Sequence, residues 1–338
     1  MISVAFSSDG RLCATGSMDA TVRVWTVATG ALVHVLEGPG AEIEVRSLHR
    51  CMQFSCWIST LLTSRDSSTS IDSLILTRLS NILSPRRPSR SPRLALPRRP
   101  SVRQWVRFHA KGPIVLAGSS DGTAWMWNAE AALCMQVFVG HQGPVLSGLF
   151  TADGKCVCTG ADDGSVNVWN PKTGKPTHQF KGEKFSEGPI LALAAHDTQP
   201  WLLSGSADGS AYLLHTESGK ILASFAGHKD SIEACAFFSG GAGGGASASD
   251  LPFAATASMD GAAIVWDLAK RQARCRLAHD EGVVRVRWHP REPLLFTACL
   301  DGALRLWDAR NGALLRTWRG HRDQILDFCI SRYGRDDA

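Results

Sequence analysis

Apolar and polar residues alternate along this chain in short runs, each closed by a turn. Val283-Val-Arg-Val-Arg-Trp288 and Ala303-Leu-Arg-Leu-Trp307 show the period of two that marks half-buried β-strands. The recurrence of such short strands and turns predicts an all-β chain. A turn Asp recurs at Asp19, Asp121, Asp163, Asp208, Asp260 and Asp301. Six residues after each come Trp25, Trp127, Trp169, Leu214, Trp266 and Trp307.

The last four spacings between these Asp residues are 42, 45, 52 and 41. The 52 contains a glycine-rich run, Gly240 to Asp250, that lengthens one loop as a flexible excursion. The first spacing, 102, falls back to 42 when residues 45–104 are left out of the count. Such a period is the mark of a repeat array. The array reads as a first unit at 1–44, an insertion at 45–104, further units at 105–330 and an irregular tail at 331–338. Six units hold four strands each, and a seventh begins at Ile325 to Ile330 and stops. An array ending inside a unit exposes strand edges, so truncation at both ends is expected.

Composition separates the insertion from the rest. It holds 11 Arg, no Lys, 13 Ser, 5 Pro and no Gly, and only Asp66 and Asp72 are acidic. Its charge is +9 and that of the remaining residues −4, so the net +5 of the 338-residue chain comes from one segment. The body's charge offers no broad attraction for nucleic-acid phosphates. Two readings of the insertion stand. Ser84-Pro-Arg-Arg-Pro-Ser-Arg-Ser-Pro-Arg93 suits a basic arm for nuclear import, RNA binding or phosphorylation. Alternatively, the segment is a retained intron translated in frame. Removing it joins Glu42-Ile-Glu44 to Trp105-Val-Arg-Phe-His109, an alternating strand like Val283 to His289, so the segment splits a strand where insertions are poorly tolerated. That position favours the second reading.

The hydrophobic share of 44% is enough for a core and excludes wholesale disorder. No apolar run approaches the roughly 18 residues of a membrane-spanning helix. Met1 leads into Ile-Ser-Val-Ala-Phe6 without the features of a signal peptide, and 10 Cys without secretory context read as reduced thiols. The expectation is a cytoplasmic protein, with the nucleus left open. Cys156-Val-Cys158 lacks a second ligand pair for zinc and reads as buried apolar sulfur. The glycine-rich run precedes no helix and is not a phosphate loop. Neither a catalytic site nor a cofactor or metal site is read.

The Gly140-His141, Gly227-His228 and Gly320-His321 starts and the Trp266-Asp267 and Trp307-Asp308 endings resemble the WD-repeat β-propellers. The resemblance implies a buried tetrad in many blades. Three sets match it: His141, Thr159, Asp163, Trp169; His228, Thr256, Asp260, Trp266; and His279, Thr297, Asp301, Trp307. The unit with Asp208 lacks the Trp and the Gly-His, and that with Asp121 has Ala117 in the hydroxyl position, so both are expected to hold by packing alone. Ile114 to Trp127, Leu300 to Gly312 and Arg319 to Phe328 resemble the angio-associated migratory cell protein family. That family is similar to a fungal propeller that is the dedicated chaperone of a large-subunit ribosomal protein. Its members look eight-bladed, which implies a leading blade and most of a last blade beyond the six found here.

Strand direction alternates, so the turns before inner strands share one face with the Asp turns. That face carries Glu42, Glu44, Asp162, Glu187, Asp230, Asp280, Glu281 and Asp323 against Lys184, Lys229 and Arg322. The opposite face carries Lys172, Lys175, Lys220, Lys270, Arg271 and Arg310 against Glu130, Glu217 and Asp308. An acidic face suits a basic protein client. The resemblance implies that this client is a large-subunit ribosomal protein. Trp307-Asp-Ala-Arg310 also matches the tetrapeptide with which some propellers dock on a cullin-ligase adaptor, Arg310 being the anchor. A general scaffold is the third class. The retained-intron reading requires a transcript that joins the Glu44 codon directly to that of Trp105. Sequencing across the junction finds that transcript, or leaves the basic arm standing.

Overall fold

A computed structural model of the chain describes residues 3–17, 21–37, 105–182, 185–238 and 253–330. The insertion, the glycine-rich run, Asp19, Glu42, Glu44, Lys184 and the 331–338 tail lie outside these residues. The described strands form six four-stranded antiparallel sheets, each a meander of consecutive strands. Blade 1 holds β1 (Ser3–Phe6), β2 (Leu12–Gly16), β3 (Thr21–Thr26) and β4 (Leu32–Glu37). Blade 2 holds β5 (Val106–Phe108), β6 (Ile114–Gly118), β7 (Thr123–Asn128) and β8 (Leu133–Val139). Blade 3 holds β9 (Val145–Phe150), β10 (Val157–Ala161), β11 (Val166–Trp169) and β12 (Pro176–Phe180). Blade 4 holds β13 (Ile190–Ala195), β14 (Trp201–Ser206), β15 (Ser210–His215) and β16 (Lys220–Ala226). Blade 5 holds β17 (Ile232–Phe237), β18 (Phe253–Ser258), β19 (Ala262–Asp267) and β20 (Gln272–Ala278). Blade 6 holds β21 (Val283–Trp288), β22 (Leu294–Cys299), β23 (Ala303–Asp308) and β24 (Ala313–Arg319). Ile325 to Ile330, read as the start of a seventh blade, is described but pairs into no strand.

The core lies between blades, because both faces of each middle strand are apolar. Val24 and Leu36 of blade 1 meet Val115 and Trp127 of blade 2. Leu116 and Phe138 then meet Val145 and Trp169, and the same alternation runs on through Cys158 with Leu202, Leu203 with Ile264, and Val265 with Leu295. Sequence-adjacent blades therefore complete one another's cores. In every blade the register between the third and fourth strands shifts just before the tryptophan position, from Val24/Trp25 to Leu306/Trp307. One extra residue there strengthens the local twist, which lets flat sheets fan into blades.

The Asp-Gly turns require their glycines. Gly209 has φ of 82°, and a Cβ on it would stand 2.9 Å from the His228 carbonyl oxygen. Gly122 is alike, with φ of 83° and the His141 carbonyl 2.8 Å away. Only glycine tolerates both that backbone and that approach. The turn of one blade thus rests on the loop entering the next, which makes a continuous row of turns and loops on one face.

Candidate interaction surface

The turn row is held in place from beneath by polar chains inside the blades. In blade 5 the Trp266 indole N–H donates to Thr256 Oγ1 at 2.8 Å. Thr256 Oγ1 also lies 2.8 Å from His228 Nε2, and His228 Nδ1 lies 3.2 Å from Asp260 Oδ2. Asp260 in turn accepts from the backbone N–H groups of Lys229 and Ala262. Each buried donor finds an acceptor, and the chain ends by fixing the turn.

Blade 3 follows the same path with one residue added. Trp169 donates to Thr159 at 2.8 Å and His141 Nε2 is 2.6 Å from the same hydroxyl. Ser165 Oγ stands between His141 Nδ1, at 2.8 Å, and Asp163 Oδ1, at 2.6 Å. Asp163 and His141 are themselves 3.5 Å apart.

Blade 6 departs from the expected tetrad. Trp307 donates to Thr297 at 3.0 Å and His279 Nε2 reaches that hydroxyl at 2.7 Å. His279 Nδ1, however, donates to the Leu277 carbonyl at 3.0 Å, and Asp301 is taken by the Arg305 guanidinium. The reason is competition: a permanent cation on β23 is a stronger partner for the carboxylate than a neutral imidazole. Because a carbonyl can only accept, Nδ1 of His279 carries the proton and Nε2 accepts from Thr297, leaving that hydroxyl's lone pairs for Trp307.

The two blades expected to rely on packing alone do not. In blade 4, Ser186 occupies the histidine's place, its Oγ 2.9 Å from Asp208 Oδ2, which can only accept, and 2.6 Å from Ser206 Oγ. Asp208 also accepts from the backbone of Glu187 and Ser210. In blade 2, Trp125 donates to Thr123 at 2.8 Å, and Thr123 donates to Asp121 at 2.6 Å. A short hydroxyl can bridge the gap that imidazole spans elsewhere. Blade 1 carries a further link that the tetrad pattern did not flag, Trp25 to Thr15 at 2.9 Å.

Burial lowers the pKa values of the three histidines in these chains. At His279 it acts together with the Arg305 charge and takes the value to about 4. His141 and His228 move the same way by burial, against the pull of Asp163 and Asp260. For the turn carboxylates burial works upward, but hydrogen bonds outweigh it and Asp163, Asp208, Asp260 and Asp301 all end lowered.

The acids named for the turn face divide into two groups. Asp162, Glu187, Asp230, Glu281 and Asp323 are exposed and make no ion pair among the described residues. Asp280 is exposed too, but the Arg305 guanidinium lies 3.5 Å from it. The turn Asp residues spend their charge internally: Lys181 stands 3.7 Å from Asp163 and Arg276 2.9 Å from Asp260. Lys229 and Arg322 are the exposed cations set against the free acids, and neither forms an ion pair among the described residues. On the opposite face the Arg310 side chain is 62% exposed, yet it folds back on Asp308, with Nε and Nη2 each 3.0 Å from a carboxylate oxygen. Cys158 is buried and Cys156 half-buried in the seam between blades 3 and 4, and burial pushes both thiols up. Among the described residues no group of His, Cys, Asp and Glu could hold a metal ion, and no helix is long and apolar enough to cross a membrane.

A family model described as WD domain, G-beta repeat matches residues 2–26, 101–128, 132–170, 174–213, 219–267 and 271–308. The chain belongs to the WD-repeat family. The stretches avoid the bulk of the insertion, and each ends on or near the third strand of a blade. Among curated WD-repeat relatives, angio-associated migratory cell protein of Homo sapiens is 34% identical over 244 residues, covering 68% of this chain and 54% of that protein. An uncharacterized WD repeat-containing protein of Schizosaccharomyces pombe is 29% identical over 211 residues, covering 60% of this chain and 50% of its own length. F-box/WD repeat-containing protein 10 of Homo sapiens is 30% identical over 226 residues, covering 64% and 19%. The chain thus spans about half the length of the first two.

Thr256→Val keeps shape and removes the hydroxyl shared by Trp266 and His228. Two buried groups lose their partner, so urea unfolding should show a loss on the order of 2–4 kcal/mol. Ser204→Ala, which removes one 3.5 Å bond to the Tyr212 carbonyl, should cost far less. A second expectation concerns pH. His279 is held neutral when folded, so the unfolded chain binds more protons once pH drops below about 6.5. Stability should therefore fall from about pH 6.5 toward about 4, by on the order of 3 kcal/mol from this group. His279→Gln should flatten that slope in urea titrations run across the same range.

Proposed function

We propose that this WD-repeat propeller is a non-catalytic protein-interaction platform that binds a basic protein segment on its turn face. The fold is consistent with a scaffold, and the free acids carry the finer reading. Asp162, Glu187, Asp230, Glu281 and Asp323 lie along the row of turns and entering loops, exposed and without ion pairs among the described residues. The carboxylates beneath them are already neutralised by Lys181, Arg276 and Arg305. The surface field therefore comes from side chains with no counter-charge among the described residues, which suits recognition of a cationic partner. The likeness to angio-associated migratory cell protein and the similarity of that family to a fungal ribosomal-protein chaperone support a large-subunit ribosomal protein as client. Covering a basic segment before assembly would limit its misbinding.

The test reverses charge at acids that make no ion pair among the described residues. Glu187, Asp230 and Glu281 changed together to Lys should reduce recovery of the large-subunit ribosomal protein from growing cells by at least roughly tenfold, as raised salt should. Asp280 is left in place because Arg305 leans on it. Unchanged recovery in the triple variant sinks the reading. Recovery instead of a cullin adaptor, lost in Arg310→Ala, would replace it with the ligase-receptor role.

A further inference from the structure

The strand register places three arginines where the other blades carry small or apolar residues. One position before the tetrad threonine, the second strand of each blade pairs with an inner-strand residue. Those residues are Ala5, Arg107, Leu149, Ala194, Ala236 and Arg287 in blades 1 to 6. Two residues earlier on the inner strands come Ser3, Trp105, Ser147, Ala192, Ala234 and Arg285. Successive alternate residues of a strand point the same way, so these positions line one side of the six inner strands. That side is neutral except at Arg107, Arg285 and Arg287, and Trp105, Ser147, Ala192 and Ala234 on it are buried. Trp105 adds no open aromatic surface. It is buried with its Nε1–H on the Val145 carbonyl at 3.0 Å, and its ring packs against Gly118 and Gly148. Among the described inner strands the one acid is Glu233, which is buried and receives a hydrogen bond from Ser231 Oγ at 2.8 Å.

The guanidinium groups share a space with too little negative charge. Arg285 Nη1 donates to the Glu233 and Val284 carbonyls, and its Nε lies 3.3 Å from Asp327 Oδ1. Arg287 Nη2 is 4.0 Å from the same oxygen. Arg107 has no ion pair among the described residues, and its one hydrogen bond is a long one, 3.5 Å, to the Val106 carbonyl. Solvent reaches its side chain, yet protein surrounds it. That enclosure, followed by the charges of Arg285 and Arg287, takes its pKa down to about 10, with Asp327 alone pulling back. Three cations from blades 2 and 6 thus face one carboxylate.

We propose that Arg107, Arg285 and Arg287 together receive an extended acidic peptide segment, whose carboxylates pair with the three guanidinium groups. Asp327 already shows the mode: a carboxylate borne on a stretch without strand pairing, Ile325 to Ile330, lies between two of the arginines. Beside the arginines the half-buried part of this side of the inner strands is Leu149 with Ser3, Ala5, Ala194 and Ala236, the last four all small. It offers no exposed ring on which a base could stack, which argues against a single-stranded nucleic acid of the same charge. This site is opposite in sign to the acidic turn face and rests on different residues, so either can fail without the other.

The experiment uses the full chain and a short fluorescein-labelled polyglutamate peptide, read by fluorescence anisotropy. Saturable binding weakened by salt is expected. Arg107→Gln should raise Kd by roughly tenfold, and Arg107→Lys by less because the charge remains. Arg107 is exposed and bridges nothing, so its loss leaves the fold intact, which a thermal melt checks. Unchanged affinity in Arg107→Gln overturns the proposal. Should Arg285→Gln with Arg287→Gln fail to fold, phenylglyoxal labelling of the unaltered chain decides. The peptide should protect Arg107, Arg285 and Arg287, and labelling at all three that the peptide does not slow overturns the proposal. An oligothymidylate of equal charge that binds more tightly than the peptide also overturns it, in favour of nucleic acid.

Discussion

A buried indole N–H cannot be left unanswered, and in this protein a threonine hydroxyl answers it. Thr15, Thr159, Thr256 and Thr297 each accept from the tryptophan of the neighbouring strand. In three of these blades the same hydroxyl meets an imidazole that belongs to the entering loop. One oxygen therefore ties the second strand, the third strand and the loop before the first. The cost of breaking such a link inside a low-dielectric seam exceeds what the bond contributes on its own. The positions of the turns, and hence of every side chain on their face, depend on it.

Acidic residues in the turns serve two unlike purposes. Those such as Asp163 and Asp260 accept backbone N–H groups and stay charged because those bonds stabilise the anion. Their charge is cancelled locally by Lys181 and Arg276. Neighbours such as Glu187 and Glu281 are exposed and make no ion pair among the described residues. Counting acids along the chain merges the two groups. The structure separates them, and the usable field of the face is that of the second group alone.

The repeat period, the six blades and the tryptophan positions were legible because each blade needs the same turn and the same large apolar residue at a set distance. What could not be read was which polar partner wins when several are near. Arg305 lies four residues after Asp301, but its claim on that carboxylate depends on both side chains pointing to one side of β23. Ser165 and Ser186 are unremarkable in sequence and become relays only where a turn brings them within 3 Å of an Asp or an imidazole. The inner-strand arginines were hidden for another reason. A register shift between Val283 and Arg285 decides which residues of β21 face inward, and such a shift leaves no pattern in the hydrophobicity. Glu42 and Glu44, read as part of the acidic face, lie outside the described residues.

The seams join blades that are also neighbours along the chain, so most tertiary contacts are made between one meander and the next. Stability then follows the logic of a linear array, in which each unit contributes its own term and one coupling to either side. A lesion in the seam holding Val265 and Leu295 should loosen blades 5 and 6 while blade 2 keeps its amide protons shielded from exchange. Opening would be partial and graded. Blades could come apart in turn along the chain, and a surface spread over several of them would lose its partners one contact at a time.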